Sequence, residues 1–183
     1  MKKAVILTAR KERDSQVPYP LKPFAGDICL MDRTLAILRE NGIKQIAIVT
    51  GFCHEQFEKY QAEDVTLIYN KDYEFTASMG SLALAKEFID EDFLLVEGDT
   101  FYEKKVIEKL CERAEGNCIS MTEESGSGDE CFVETKNGFV TKITKDRHRV
   151  CNFEGEMLGV TRISFETYQK LIYAWEHSTN PHL

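Results

Sequence analysis

Two groups of residues in this 183-residue chain place charge where chemistry could use it. The first is Arg10, Lys11, Arg13 and Lys22, four cations within thirteen residues. The chain as a whole is acidic, with 23 Lys plus Arg against 31 Asp plus Glu and a net charge of −8. A local cation cluster in that background is how a polyphosphate site is built, because guanidinium and ammonium groups offset the charge on phosphoryl oxygens. The competing account is a solvated charged loop, since Glu12 and Asp14 dilute the cluster, and charge alone favours it. The second group centres on Asp99, which follows Gly98 just beyond the apolar run Phe93-Leu94-Leu95-Val96. A carboxylate there can hold Mg²⁺, which takes one or two carboxylates plus phosphate oxygens. It can equally cap a helix beginning near Tyr102.

Ser78-Met79-Gly80-Ser81 opens a helical pattern, where backbone N–H groups favour an anion and Gly80 permits close approach. An ordinary cap with a packing glycine explains the same residues. The chain lacks HExxH, GxSxG and GxxxxGK[ST], which removes support for zinc proteases, α/β-hydrolases and P-loop enzymes. His54, His148, His177 and His182 form no ligand pairs, and the six cysteines contain no CxxC. Without an apparent secretion signal those cysteines read as reduced thiols, and the expected compartment is the cytoplasm.

The elements that must position these residues follow from periodicity. Unbroken apolar runs at 4–7, 46–49 and 93–96 read as strands buried on both faces, as in a parallel sheet. Strands are expected at 3–8, 45–50, 65–69, 117–121 and 157–163. Helical patterns alternate with them at 28–41, 54–61, 78–89, 103–114 and 165–177. Residues 9–27 form a long loop after the first strand and hold three of the four prolines; long loops are often functional. After Glu123-Glu124-Ser125-Gly126-Ser127-Gly128, segments 130–135 and 139–144 flank Asn137-Gly138, a hairpin signal. The expected fold is α/β and Rossmann-like: a mostly parallel sheet with helices on both faces, plus an antiparallel hairpin after residue 128. Ligands of such sheets bind beyond the carboxyl ends of the strands, where the 9–27 loop, Thr50-Gly51-Phe52 and Glu97-Gly98-Asp99 converge.

Composition bounds the rest. Hydrophobic residues make up 43% of the chain, and the length suits one domain. The acidic balance argues against a sequence-independent nucleic-acid binder, and no stretch nears the length of a membrane span.

In order and spacing these segments resemble the nucleotidyltransferases that activate sugars and lipid headgroups, of nucleotide-diphospho-sugar transferase type. Ala4-Val5-Ile6-Leu7-Thr8-Ala9 is similar to the family's first strand entering its nucleotide loop. Pro20-Leu21-Lys22-Pro23-Phe24 sits where the family has its signature lysine, and Asp32-Arg33-Thr34-Leu35 with Asn41-Gly42-Ile43 resembles its first helix and turn. Ile46 through Phe52 and Phe93 through Asp99 resemble two further strands, the second delivering a metal-binding aspartate. Where the family loop is glycine-rich, this chain reads Arg10-Lys11-Glu12-Arg13. Thr76 through Leu82, Glu97 through Glu103 and Gly155 through Gly159 are similar to the small cytidylyltransferases, closest to the 2-aminoethylphosphonate branch and next to the phosphocholine branch.

The resemblance implies transfer of CMP from CTP to a small aminoalkyl phosphonate, 2-aminoethylphosphonate, with release of pyrophosphate and dependence on Mg²⁺. The alternatives it leaves are a phosphocholine or sugar-phosphate acceptor, or a nucleotide-sensing module without catalysis. It implies catalytic roles for Lys22 and Asp99, the latter as metal ligand. Nucleotide contacts would come from Thr8, Ala9, Arg10, Lys11, Arg13, Gly51, Ala77, Ser78, Ser81 and Gly98. Tyr102, Glu156 and Trp175 would meet the acceptor. Relatives continue past the last helix to a second metal-binding acid, so residues 1–183 are expected to be one nucleotidyltransferase domain lacking its C-terminal end. A fusion with another phosphonate-pathway enzyme would account for that.

Overall fold

The computed structural model describes residues 1–11, 15–113 and 116–179. Its central strand is β1 (Lys3–Thr8), in which Ala4, Val5 and Ile6 have no exposed surface. Residues 4–7 of the strand are all apolar because each face meets a different core. Ala4 and Ile6 join one cluster, Val5 and Leu7 the other. On either side lie β4 (Gln45–Thr50) and β6 (Phe93–Glu97), both parallel to β1, with β5 (Val65–Tyr69) outside β4.

Helices α1 (Leu30–Glu40) and α3 (Lys104–Glu112) cover the Ile6 face, contributing Leu35, Leu38, Ile107 and Leu110. Helices α2 (Ser78–Ala83) and α4 (Phe165–Glu176) cover the Val5 face through Leu82 and Tyr168. The four parallel strands therefore form a two-faced α/β layer, as the alternation of patterns requires.

The rest of the sheet is antiparallel. Strand β10 (Phe153–Ile163) pairs along Val160–Ile163 with β6 and also pairs with β7 (Cys118–Thr122). Its first residues pair with β8 (Phe132–Lys136), which turns through Asn137-Gly138 into β9 (Phe139–Thr144). Both turn residues have positive φ, 54° and 78°, the requirement of a tight hairpin turn. A small ribbon, β2 (Pro23–Ala25) with β3 (Ile28–Cys29), occupies the end of the 9–27 segment.

Three expected elements differ most. Residues His54–Tyr60 wind as a 3₁₀ helix rather than an α-helix, entered from Cys53 in the left-handed region at φ 51°. The helix expected over 78–89 keeps α geometry only to Ala83. Beyond it Leu84, Ala85 and Lys86 bond three residues back, to Ser81, Leu82 and Ala83. That tighter winding still buries Leu82, Ala85 and Ile89, which are the positions the periodicity reported. Finally, β10 begins at Phe153, four residues before the expected 157. All six cysteines are free thiols. Among the described residues no helix is long and apolar enough to cross a membrane.

Candidate active site

The carboxyl ends of β1, β4 and β6 come together because two glycines leave room. A Cβ on Gly98 would sit 2.5 Å from Thr8 Cγ2 and 2.8 Å from the Leu7 carbonyl oxygen. Glycine instead lets its N–H donate to that oxygen at 2.8 Å. A Cβ on Gly51 would lie 2.6 Å from both the Ala9 carbonyl oxygen and Tyr73 Cβ. Phe52 N–H donates to the same Ala9 oxygen at 3.0 Å, and Thr8 Oγ1 donates to the Val49 carbonyl at 3.0 Å. The start of the long loop is thus stitched to the ends of both neighbouring strands.

Above these ends lies a cavity of about 790 Å³. One wall is Leu7, Thr8, Ala9 and Arg10; a second is Tyr19 and Pro20, from a 3₁₀ turn at Tyr19–Leu21. The opposite wall is Tyr73, Thr76, Ala77, Ser78 and Ser81 at the entry to α2, and Glu97 and Asp99 complete the lining. A space of this size is in the range of small-molecule sites. Its hydroxyls, short side chains and carboxylates suit a polar ligand.

The charges are concentrated on one side. Asp129 accepts from Arg10 at 3.3 Å and from Lys145 at 2.5 Å, and the two cations hold its carboxyl below the usual range. Burial, then the neighbouring charge of Asp99, pushes the Glu97 carboxyl above the usual range; Lys145 and Arg10 oppose the shift. A half-buried carboxyl raised in this way, lining a cleft beside a second carboxylate, is the kind of group that marks candidate functional sites.

The structure brings together Thr8, Ala9, Arg10 and Asp99 with Ala77, Ser78 and Ser81, since all line the cavity. Gly51 and Gly98 lie beneath it as spacers. Asp99 is exposed and lies five residues before α3, whose cap is Glu103, so the helix-capping account does not hold. Ser78 is likewise not a cap; that position is Ala77, with no side-chain cap bond. Lys22 is half-buried and is not among the residues that line the cavity. It follows the Tyr19–Leu21 turn, with its ammonium 5.4 Å from the centre of the Tyr19 ring that lines the cavity. Lys11 pairs with Glu74 at 3.3 Å, outside the lining. Arg13 lies outside the described residues.

The three acceptor-contact residues are displaced from the cavity. Tyr102 is 2% exposed and belongs to the Ile6-side core, because its ring fills space between α1, α3 and the sheet. Glu156 stands on β10 and accepts from the Ser125 N–H at 2.8 Å. Trp175 is half-buried near the end of α4. None of the three lines the cavity. Glu97 does, and sequence reasoning passed over it. Its signal was the i, i+2 spacing to Asp99. Lys145 and Asp129 carried no local signal, since the sheet's return through β8 to β10 is what brings them to Arg10.

A mixed sheet with this strand order, carrying a polar cavity at its parallel carboxyl ends, defines a nucleotidyltransferase-like fold. The chain belongs to the MobA-like NTP transferase domain family, which matches residues 4–152. It is 31% identical over 149 residues to a CMP-5'-(3-aminopropyl)phosphonate synthase from Streptomyces rubellomurinus, a match covering 78% of this chain and 24% of that protein. It is 42% identical over 66 residues to a choline-phosphate cytidylyltransferase from Haemophilus influenzae, covering 36% of this chain and 28% of that protein. The matched stretch is therefore about a quarter of the length of these relatives. Among solved structures, the inositol-1-phosphate CTP transferase from T. maritima superposes with a TM-score of 0.74 at 18% identity, over 92% of this chain and 73% of that one. The CTP:phosphocholine cytidylyltransferase from Streptococcus pneumoniae gives 0.71 at 20%, over 95% and 77%.

Proposed function

We propose that this chain is a cytidylyltransferase that transfers CMP from CTP to a small aminoalkyl phosphonate, 2-aminoethylphosphonate, releasing pyrophosphate. The observation that carries the reading is the cavity itself, where Asp99, Glu97 and Arg10 face the hydroxyl-lined entry of α2. Likeness to an aminopropylphosphonate CMP synthase supports the acceptor class.

In this reading a phosphonate oxygen attacks the α-phosphorus of CTP in line. The new P–O–P bond forms as the bond to the β-phosphate oxygen breaks, and pyrophosphate leaves with that electron pair. The phosphonate is already largely anionic near neutral pH, so the protein need not remove a proton. Its work is positioning and offsetting charge. Lys22, beside the Tyr19 ring of the wall, offsets charge building on the α-phosphate. Arg10 and Lys11 meet the β- and γ-phosphates, and Arg10 exchanges Asp129 for phosphoryl oxygens on binding. Thr8, Ala9, Ala77, Ser78 and Ser81 enclose the cytidine.

The donor set fits Mg²⁺. Glu97 and Asp99 supply hard carboxylate oxygens, and the raised Glu97 carboxyl is what a divalent charge would relieve. Asp99, with Glu97 beside it, would hold the ion, whose contribution would be neutralising the triphosphate.

The test is pyrophosphate release by the full-length protein with CTP and Mg²⁺, offering 2-aminoethylphosphonate, phosphocholine and a sugar 1-phosphate in parallel. Fastest release with the aminoalkyl phosphonate is expected. A preference for either other acceptor overturns the acceptor assignment. No release with any of them, beside tight metal-independent CTP binding, overturns the enzyme and leaves a nucleotide sensor.

A further inference from the structure

Asn70 is 2% exposed, and its side-chain amide makes three hydrogen bonds that reach the cavity wall. Its Oδ1 accepts the Asp72 N–H at 3.0 Å, which fixes which end of the amide is oxygen. Its Nδ2 donates to Thr76 Oγ1 at 2.9 Å and to Ser81 Oγ at 3.0 Å. An amide nitrogen only donates, so both hydroxyl oxygens act as acceptors toward it. Each hydroxyl still has one proton to place. Thr76 gives its own to the Asp72 carbonyl at 3.1 Å. No described residue accepts the proton of Ser81, which is 5% exposed and lines the cavity. Gly80 helps hold the arrangement, because a Cβ there would sit 2.8 Å from Thr76 Cβ.

We infer that Asn70 is a positioning residue that fixes the polarity of the Ser81 hydroxyl, turning it into a hydrogen-bond donor aimed into the cavity. The ligand it selects presents an acceptor there. On a pyrimidine this favours the N3 and O2 edge of cytosine, two acceptors in a row, over uracil, whose N3 carries a hydrogen. The inference rests on the cytidylyltransferase reading and supplies its base specificity: Asn70 spends one hydroxyl of the wall locally and keeps the other for the base. Rejection then follows from unpaired polar groups in a buried site, the more discriminating kind.

Calorimetric titration of the full-length protein with CTP and with UTP tests this. Ser81→Ala is expected to weaken CTP binding about ten-fold and to lower the CTP-over-UTP ratio by a similar factor. Asn70→Asp replaces the donor by a carboxylate that takes the Ser81 proton, so it is expected to lower the ratio as far. Asn70→Ala, which frees Ser81 to turn either way, lowers it less. The double variant Asn70→Asp with Ser81→Ala should have the ratio of Ser81→Ala alone, because Asn70 acts through Ser81. A purely structural Asn70 would lower the melting temperature and leave the ratio unmoved. Folded Asn70 variants with the wild-type ratio, or losses that multiply in the double variant, overturn the inference. An unchanged ratio in Ser81→Ala overturns it alone, even if neither Asn70 variant folds. Wild-type protein that binds neither nucleotide removes the cytidylyltransferase reading and this inference together. CTP binding with an unmoved ratio removes only the inference.

Discussion

Replacing Gly98 by alanine tests how the active-site floor is built. The added Cβ would lie 2.5 Å from Thr8 Cγ2, about 0.9 Å inside ordinary contact at 3.4 Å, and 2.8 Å from the Leu7 carbonyl oxygen. Thr8 cannot turn away cheaply, since its Oγ1 is bonded to the Val49 carbonyl in a buried position. The remaining escape is for the Gly98-Asp99 backbone to lift off β1, stretching the Gly98 N–H to Leu7 bond of 2.8 Å. Overpacking of this kind costs about 1–3 kcal/mol, and a weakened hydrogen bond adds about 1 kcal/mol. At about 2–4 °C per kcal/mol for a chain of this size, melting should fall by roughly 4–16 °C. The same lift moves Asp99, and a misplacement near 1 Å costs about 100-fold in rate. Urea unfolding and pyrophosphate release on one preparation read both numbers. Adding Thr8→Ser removes the Cγ2 while keeping a hydroxyl for Val49, so it should recover part of each loss. A Gly98→Ala protein as stable and as active as wild type would refute the packing account.

Lys22→Ala should cut pyrophosphate release about 100-fold or more with little change in melting, because the side chain is only half-buried. Unchanged turnover would remove that lysine from the mechanism. Glu97→Gln should stabilise the metal-free protein near neutral pH. The folded-state carboxyl holds its proton above the ordinary range, so native Glu97 adds stability at acid pH and loses it as pH rises through that raised value. The two proteins should therefore melt alike in acid and diverge toward neutral pH, and a constant difference across pH would contradict the assignment. Tyr102→Phe should leave the acceptor KM unchanged, whereas Tyr102→Ala should lose about 3–5 kcal/mol in urea unfolding. A KM effect in the phenylalanine variant would return Tyr102 to the site.

The parallel half of the molecule was legible because its signals are local. Runs such as 46–49 and 93–96 are unbroken and apolar because both faces of the strand are covered, and they lie within β4 and β6. Asn137-Gly138 announced its hairpin by backbone chemistry alone. Partners were not legible, since nothing within Cys118–Thr122 says that it pairs antiparallel with a strand some forty residues later. The site divides the same way. Residues that leave a strand end into the cavity, from Thr8 to Arg10 and at Asp99, were found from position in the chain. Lys145 and Asp129 were not, because only the sheet's long-range closure brings them there. Tyr102 was named as an acceptor contact on the resemblance alone, and the chain turns its ring inward.

That closure has a price in time. Strand β10 sits between β6 and β8, both made before it, and is the strand that links the parallel and antiparallel halves. On a ribosome, β6 therefore waits with an open edge of unpaired amides and carbonyls while some sixty residues are added, until Val160–Ile163 arrive to pair with it. Such late, distant pairing is slow by loop-closure entropy. Glu97 and Asp99 lie at the tip of that waiting edge, so the floor of the cavity is flanked on both sides only once β10 has paired.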